Sequence, residues 1–151
     1  AIALFGGKYI NNKYLAYLLP LLALWFSDIL INNLVLSNYF DGFTFFYSGF
    51  YWQYGSFILI TLIGRKTLKN FSFIRLLGIS ISSSLLFFVI SNFGVWISSS
   101  FYSMDIFGLV ACYVAAIPFY YGTLSGTIFY SFFLFGSYEF LSRKLSKVTS
   151  N

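Results

Sequence analysis

Residues 73–97 read FIRLLGISISSSLLFFVISNFGVWI, and after Arg75 the stretch carries no charged side chain. Crossing the ~30 Å hydrocarbon core of a bilayer takes about 20 largely apolar helical residues. This run supplies them, softened only by the serines Ser80, Ser82, Ser83 and Ser84. The rest of the chain has the same character. Of its 151 residues 59% are hydrophobic, 25% are aromatic and only 9% are charged, against roughly 25% charged in soluble domains. A water-soluble globule of this length still leaves about 30% of its unfolded surface in water, and too little polar surface exists here to cover it. The fold class expected is an all-α, polytopic transmembrane helical bundle.

Outward from the opening stretch, further apolar runs predict spans at 14–32, with Pro20 inside, and at 47–64, opened by Tyr47, Tyr51, Trp52 and Tyr54. Two more are expected at 106–120, ending at Pro118, and at 123–141. Residues 1–10 are too few to cross alone and read as a helix tail or an interfacial segment. The expected total is about five spans in a single transmembrane domain, 1–151. An apolar start at Ala1, without Met or a basic leader, suggests residues upstream.

Nine Lys and Arg give a net charge of +5. They flank the apolar runs: Lys8 and Lys13, then Arg65, Lys66, Lys69 and Arg75, then Arg143, Lys144 and Lys147. Loops beside membrane helices show this pattern, with the basic ones cytoplasmic; nucleic-acid binding would need one continuous basic stripe instead. Three expected spans separate 65–75 from 143–147, which puts the two basic clusters on opposite sides. Charge counting and span counting therefore conflict.

Histidine is absent, and Cys112 is the single cysteine, inside an apolar run as a small core residue. The four carboxylates, Asp28, Asp41, Asp105 and Glu139, are scattered. Imidazole-based catalysis and paired-carboxylate chemistry lack their residues, metal-ligand spacing is missing, and a Walker-type loop is absent. The expectation is a protein that is not an enzyme and carries no cofactor or metal.

Polar groups within apolar spans are costly and mark candidate sites. Asp28 and Asn32 are four apart on one helical face, with Asn33 adjacent; they line a cavity or lie solvated near the helix end. Asn92 and Trp96, also four apart, suit a flat heteroaromatic ligand, or are a helix cap beside an interfacial ring. Trp52 and Tyr113 complete the candidate substrate-binding set. Glu139 either snorkels or pairs with Arg143. Ala111 and Ala115, and Gly122 and Gly126, have small-xxx-small spacing for close helix contact, within the bundle or with a partner.

Five stretches, AIALFGG (1–7), LLPLLALWFSDILIN (18–32), NFGVW (92–96), GLVACYVAAIPF (108–119) and LFGSYEFLSRK (134–144), resemble a bacterial family of small, uncharacterised transport-type membrane proteins. More distantly, that family is similar to the substrate-capture (S) components of energy-coupling-factor vitamin transporters, through size, hydropathy and the Ile117-Pro118 pair. The resemblance implies a sixth, upstream helix and two cytoplasmic termini, which leaves the 65–75 loop as the exception. It also implies docking through small residues of the first helix, which this chain does not contain. The function it implies is capture of a vitamin or cofactor precursor at the inner membrane of a bacterium. Energising membrane and ATPase subunits would be the partners. The competing expectation is an assembly subunit of a larger membrane complex without a ligand of its own.

Overall fold

Helices form wherever the apolar runs predicted them, and the way they pair differs from the span count. In a computed structural model, which describes residues 1–40 and 42–149 with side chains to Leu145, the elements are α1 (Ile2–Tyr9), α2 (Lys13–Leu30), α3 (Phe50–Thr67), α4 (Phe73–Ser98) and α5 (Ile106–Thr149). A π-turn, Ile31–Val35, extends α2. Asp41 and the side chain of Lys147 lie outside the described residues.

Beside an apolar core of Leu4, Ile60, Leu68, Leu76 and Phe135, the interior holds small polar side chains, while many large apolar ones face outward. On α4 the inward face is Leu76, Ser80, Ser83, Ser84 and Gly94, while Ile81, Leu85, Val89 and Val95 are exposed. Leu76, Ser80, Ser83 and Ser84 follow the four-seven-eight spacing of one helical stripe. In water this polarity would be inverted. In lipid no hydrophobic drive brings helices together, so small residues mark the faces where backbones approach. Three helices, Lys13–Val35, Phe73–Ser98 and Ile106–Leu145, are long and apolar enough to cross a membrane.

The short helix α1 is packed into the bundle: Ala3, Leu4, Gly6 and Gly7 are buried. A Cβ on Gly64 would lie 2.8 Å from the Leu4 carbonyl oxygen, and one on Gly7 2.9 Å from the Arg65 nitrogen. Glycine at both positions is what lets α1 and α3 touch backbone to backbone. Asn12 then caps α2, its Oδ1 accepting from the amides of Tyr14 and Leu15.

The expected spans at 106–120 and 123–141 are one continuous helix, α5, with Pro118 inside it. Proline removes one intrahelical hydrogen bond, but neighbouring helices in a membrane hold such a helix together. Here Phe88 of α4 packs on Tyr113 at 5.7 Å and on Tyr120 at 4.9 Å, bridging the proline from both sides. Antiparallel pairing runs the whole length of α4, from Trp96 bonding Ser103 to Phe73 stacked on Phe132 and Phe71 on Phe135. At ~1.5 Å per residue α5 is about 66 Å long, some twice a bilayer core, and its last turns extend past α4.

One continuous α5 removes the charge conflict. Lys8 donates to the Lys69 carbonyl (2.9 Å), Arg65 to the carbonyls of Ile10 and Asn11 (both 3.2 Å), and Arg75 to that of Asn70. Tyr9 donates to Glu139 (2.6 Å), one turn before Arg143. The 65–75 loop and the α5 tail therefore share one end of the bundle. The 65–75 loop is not the exception that the resemblance implied, because two helices and not three separate it from the tail.

Candidate functional site

At the opposite end, α2 widens into its π-turn, marked by the Leu36 amide bonding the Ile31 carbonyl at 2.9 Å. Such an inserted residue redirects side chains and is frequent at functional positions. Asp28 and Asn32 are both turned inward, 9% and 7% exposed. The Asp28 carboxylate accepts from Tyr54 of α3 at 3.1 Å, and Tyr47 donates to Gln53 beside it. The Asn32 Nδ2 is buried without a hydrogen-bond partner. Asn33, next in the chain, does different work. Its amide donates to the carbonyls of Ile29 and Thr44 (2.9 Å each) and accepts from the Thr44 amide (2.7 Å), tying the loop to the end of α2.

Trp52 packs against Gly94, where a Cβ would come within 2.5 Å of the indole. Its Nε1 is buried and unpartnered. A hollow of about 70 Å³ lies here, lined by Tyr47, Trp52, Gln53, Ser91 and Gly94 among others. A water occupies ~30 Å³ of the liquid, so this space admits one or two.

Two further hollows lie along α4. One of about 200 Å³ is lined by Phe87, Phe88, Ser91, Asn92, Tyr120 and Thr123, with Ala116 and Phe119. The other, about 130 Å³, is walled by Ala1 and Ala3 at the start of the chain and Phe57 and Ile60 of α3, as well as by Ser83, Ser84, Phe87, Thr123 and Thr127. Ser91 is shared by the first and second hollows; Phe87 and Thr123 are shared by the second and third. The Ser83 side chain is 1% exposed and its hydroxyl has no partner. No charged side chain lines the 130 and 200 Å³ hollows among the described residues. Hydroxyls, one amide and aromatic faces suit a small uncharged molecule with a flat apolar body and a polar edge.

The six expected site residues do not converge on one hollow. Asn92 lines the 200 Å³ hollow, while its Nδ2 donates to the Phe88 carbonyl at 2.8 Å. Trp52 lines the smallest one. Asp28 and Asn32 sit beneath the loop. Trp96 donates to the Ser103 carbonyl at 2.9 Å, closing the turn before α5. Tyr113 donates to the Val89 carbonyl at 2.7 Å, clasping α5 to α4. Cys112 is buried, its thiol against the Asn92 carbonyl at 3.4 Å.

Ala111, Ala115 and Gly122 are exposed on the outer face of α5. A Cβ at Gly122 or Gly126 would meet nothing within 4 Å. Contact within the bundle is therefore not what these glycines provide.

Sequence reading passed over Ser83, Thr123, Thr127, Tyr54 and Gln53. The signal for three of them was present. Ser80, Ser83 and Ser84 share a stripe, and Thr123 and Thr127 are four apart, each pattern a polar face on an apolar helix. Tyr54 becomes a partner of Asp28 only through the packing of α3 on α2, and Gln53 is bonded by Tyr47 from the segment just before α3.

The model of a family of unknown function, DUF6580, matches residues 1–148. The chain belongs to that family. No curated protein and no solved structure matches it.

Proposed function

We propose that this member of DUF6580 is a multi-pass protein of the bacterial inner membrane that captures a small uncharged molecule, of vitamin or cofactor-precursor type. The ligand lies along α4 and α5, in hollows of which the smaller is also walled by α1 and α3. Similarity to substrate-capture components rests on size, hydropathy and the Ile117-Pro118 pair alone. The observation that carries the reading is the pair of hollows sharing Phe87 and Thr123, with the buried, unpartnered Ser83 hydroxyl in one wall.

A buried hydroxyl without a partner costs ~1–3 kcal/mol, and a ligand acceptor at Ser83 would recover it. Each hollow is smaller than the ~300–1,000 Å³ of a drug-sized site. The ligand is accordingly a compact one, or it turns Phe87 aside and fills both. Loading proceeds from the end that carries Asp28 and the 36–49 loop, since the basic end faces the cytoplasm by the positive-inside rule. Energy for release inward comes from a separate module.

Thermal unfolding in detergent against a panel of vitamins and cofactor precursors tests this. A hit should raise the melting temperature of the wild type and lose its effect in Thr123→Val. If nothing in the panel shifts the melting, and mass spectrometry of the native protein finds no co-purified molecule, the capture reading fails.

A second reading, an assembly subunit of a larger membrane complex, is favoured by the outward Ala111, Ala115 and Gly122 face. Isolation of the native protein as one stoichiometric complex, with the hollows empty, would favour it.

A further inference from the structure

The basic end holds a hollow that capture does not use. It measures about 320 Å³ and is lined by Gly7, Lys8, Ile10, Asn11, Arg65 and Lys69, with no carboxylate in its wall. We infer that this hollow, built around Lys8, Arg65 and Lys69, is a binding site for the phosphate group of an anionic lipid headgroup.

Three features carry the assignment. First, the charged heads are held in place by carbonyl groups and not by carboxylates: Lys8 on Lys69, Arg65 on Ile10 and Asn11. Carbonyl contacts orient the cations without neutralising them. Each retains donors, since an ammonium has three N–H groups and a guanidinium five. Second, the wall is assembled from α1, the α1–α2 connection, the end of α3 and the loop after it, so it forms only in the folded bundle. It is a concave site and not a run of charged residues along the chain. Third, it lies at the end of the bundle where the basic loops gather, the level of the headgroups. Basic pockets at that level are where anionic headgroups bind, because the phosphodiester meets fixed charge while its acyl chains stay in hydrocarbon. The exposed Leu15, Leu18 and Leu19 on the first turns of α2 offer those chains an apolar face. Arg65 supplies the planar fork that suits phosphate oxygens, and Lys69, exposed at the mouth, supplies a point charge.

The test is native mass spectrometry of the detergent-purified chain titrated with phosphatidylglycerol, with phosphatidylcholine in parallel. Phosphatidylglycerol should form a discrete one-to-one adduct at ratios where phosphatidylcholine forms none. Lys69→Gln should weaken that adduct about fivefold, the worth of one interfacial cation. Lys66→Gln removes the same charge one turn away, outside the hollow, and should leave the adduct unchanged. Equal binding of the two lipids by the wild type would overturn the inference, and so would equal losses in the two variants. Displacement of the adduct by millimolar inorganic phosphate would overturn the lipid as the source of the group.

Discussion

Replacing Gly64 with alanine puts a methyl carbon 2.8 Å from the Leu4 carbonyl oxygen and 3.0 Å from its Cα. Both atoms belong to the backbone of α1, so no side chain can swing away. Restoring the ~3.5–4.0 Å optimum requires α1 to part from α3 by roughly 0.7–1.2 Å. A gap of that size forfeits about a quarter to a half of each dispersion contact across it. Fully buried Leu4 makes ~50 contacts of ~0.15 kcal/mol, so at the lower figure of a quarter lost its share alone is about 2 kcal/mol. That agrees with the ~1–3 kcal/mol usual for overpacked interiors. At ~2–4 °C per kcal/mol for a chain of this size, Gly64→Ala should melt about 4–8 °C below the wild type in detergent. Gly7→Ala should behave alike, since its Cβ would press on Thr61 and Arg65. Gly78 is the opposite case: it is helical, and a Cβ there meets nothing. Gly78→Ala should therefore raise stability by about 0.5–1 kcal/mol through helix propensity. If Gly64→Ala and Gly7→Ala melt at or above the wild type while Gly78→Ala falls, the described α1–α3 packing is wrong.

Tyr54→Phe strips Asp28 of its donor and should cost ~1.5–3 kcal/mol, the range for bonds to charged groups; the same change in an Asp28→Asn background should cost less, a coupling read by double-mutant cycle. Asn33→Ala removes three hydrogen bonds between α2 and the 36–49 loop. Limited proteolysis should then cut that loop faster while the helical circular dichroism stays unchanged. Asp105 accepts from the Gly108 amide (2.7 Å) and the Ser103 hydroxyl (2.8 Å), and these bonds hold its carboxyl below the usual value. Its capping contribution is thus full above the unfolded-state value of about 3.9 and is lost as pH falls through the folded-state one. Asp105→Ala should melt below the wild type at pH 7, and the gap should close in strong acid. With cysteines placed at Ser103 and at Lys144 in a Cys112→Ala background, an impermeant thiol reagent should label the Ser103 position in intact cells and the Lys144 position only after the membrane is opened, since α5 runs from one end of the bundle to the other.

Helix content and lipid as solvent were legible because both follow from composition and run length, which do not depend on what packs where. The bounds of α4, expected at 73–97 and found at Phe73–Ser98, show how far a long uninterrupted run can be read. That Asp28 and Asn32 turn inward was legible, since an isolated polar group on an apolar helix signals itself through its cost. That Trp96 closes a turn and Asn33 anchors a loop could not be seen, because their partners, Ser103 and Thr44, are carbonyl and amide groups that the side-chain sequence does not reveal.

By itself the sequence determined the solvent, the helical class and the charge at the ends of the apolar runs. Only the tertiary structure decided that 106–149 is a single helix, because Pro118 weakens it locally and Phe88 supports it from a neighbour far away in the chain. With α5 continuous, the basic residues fall together at one end and the unpartnered polar groups Asn32, Trp52 and Ser83 lie among interior packing faces. Such an outcome depends on a balance between a local penalty and a non-local contact, and a linear string records only the first of these.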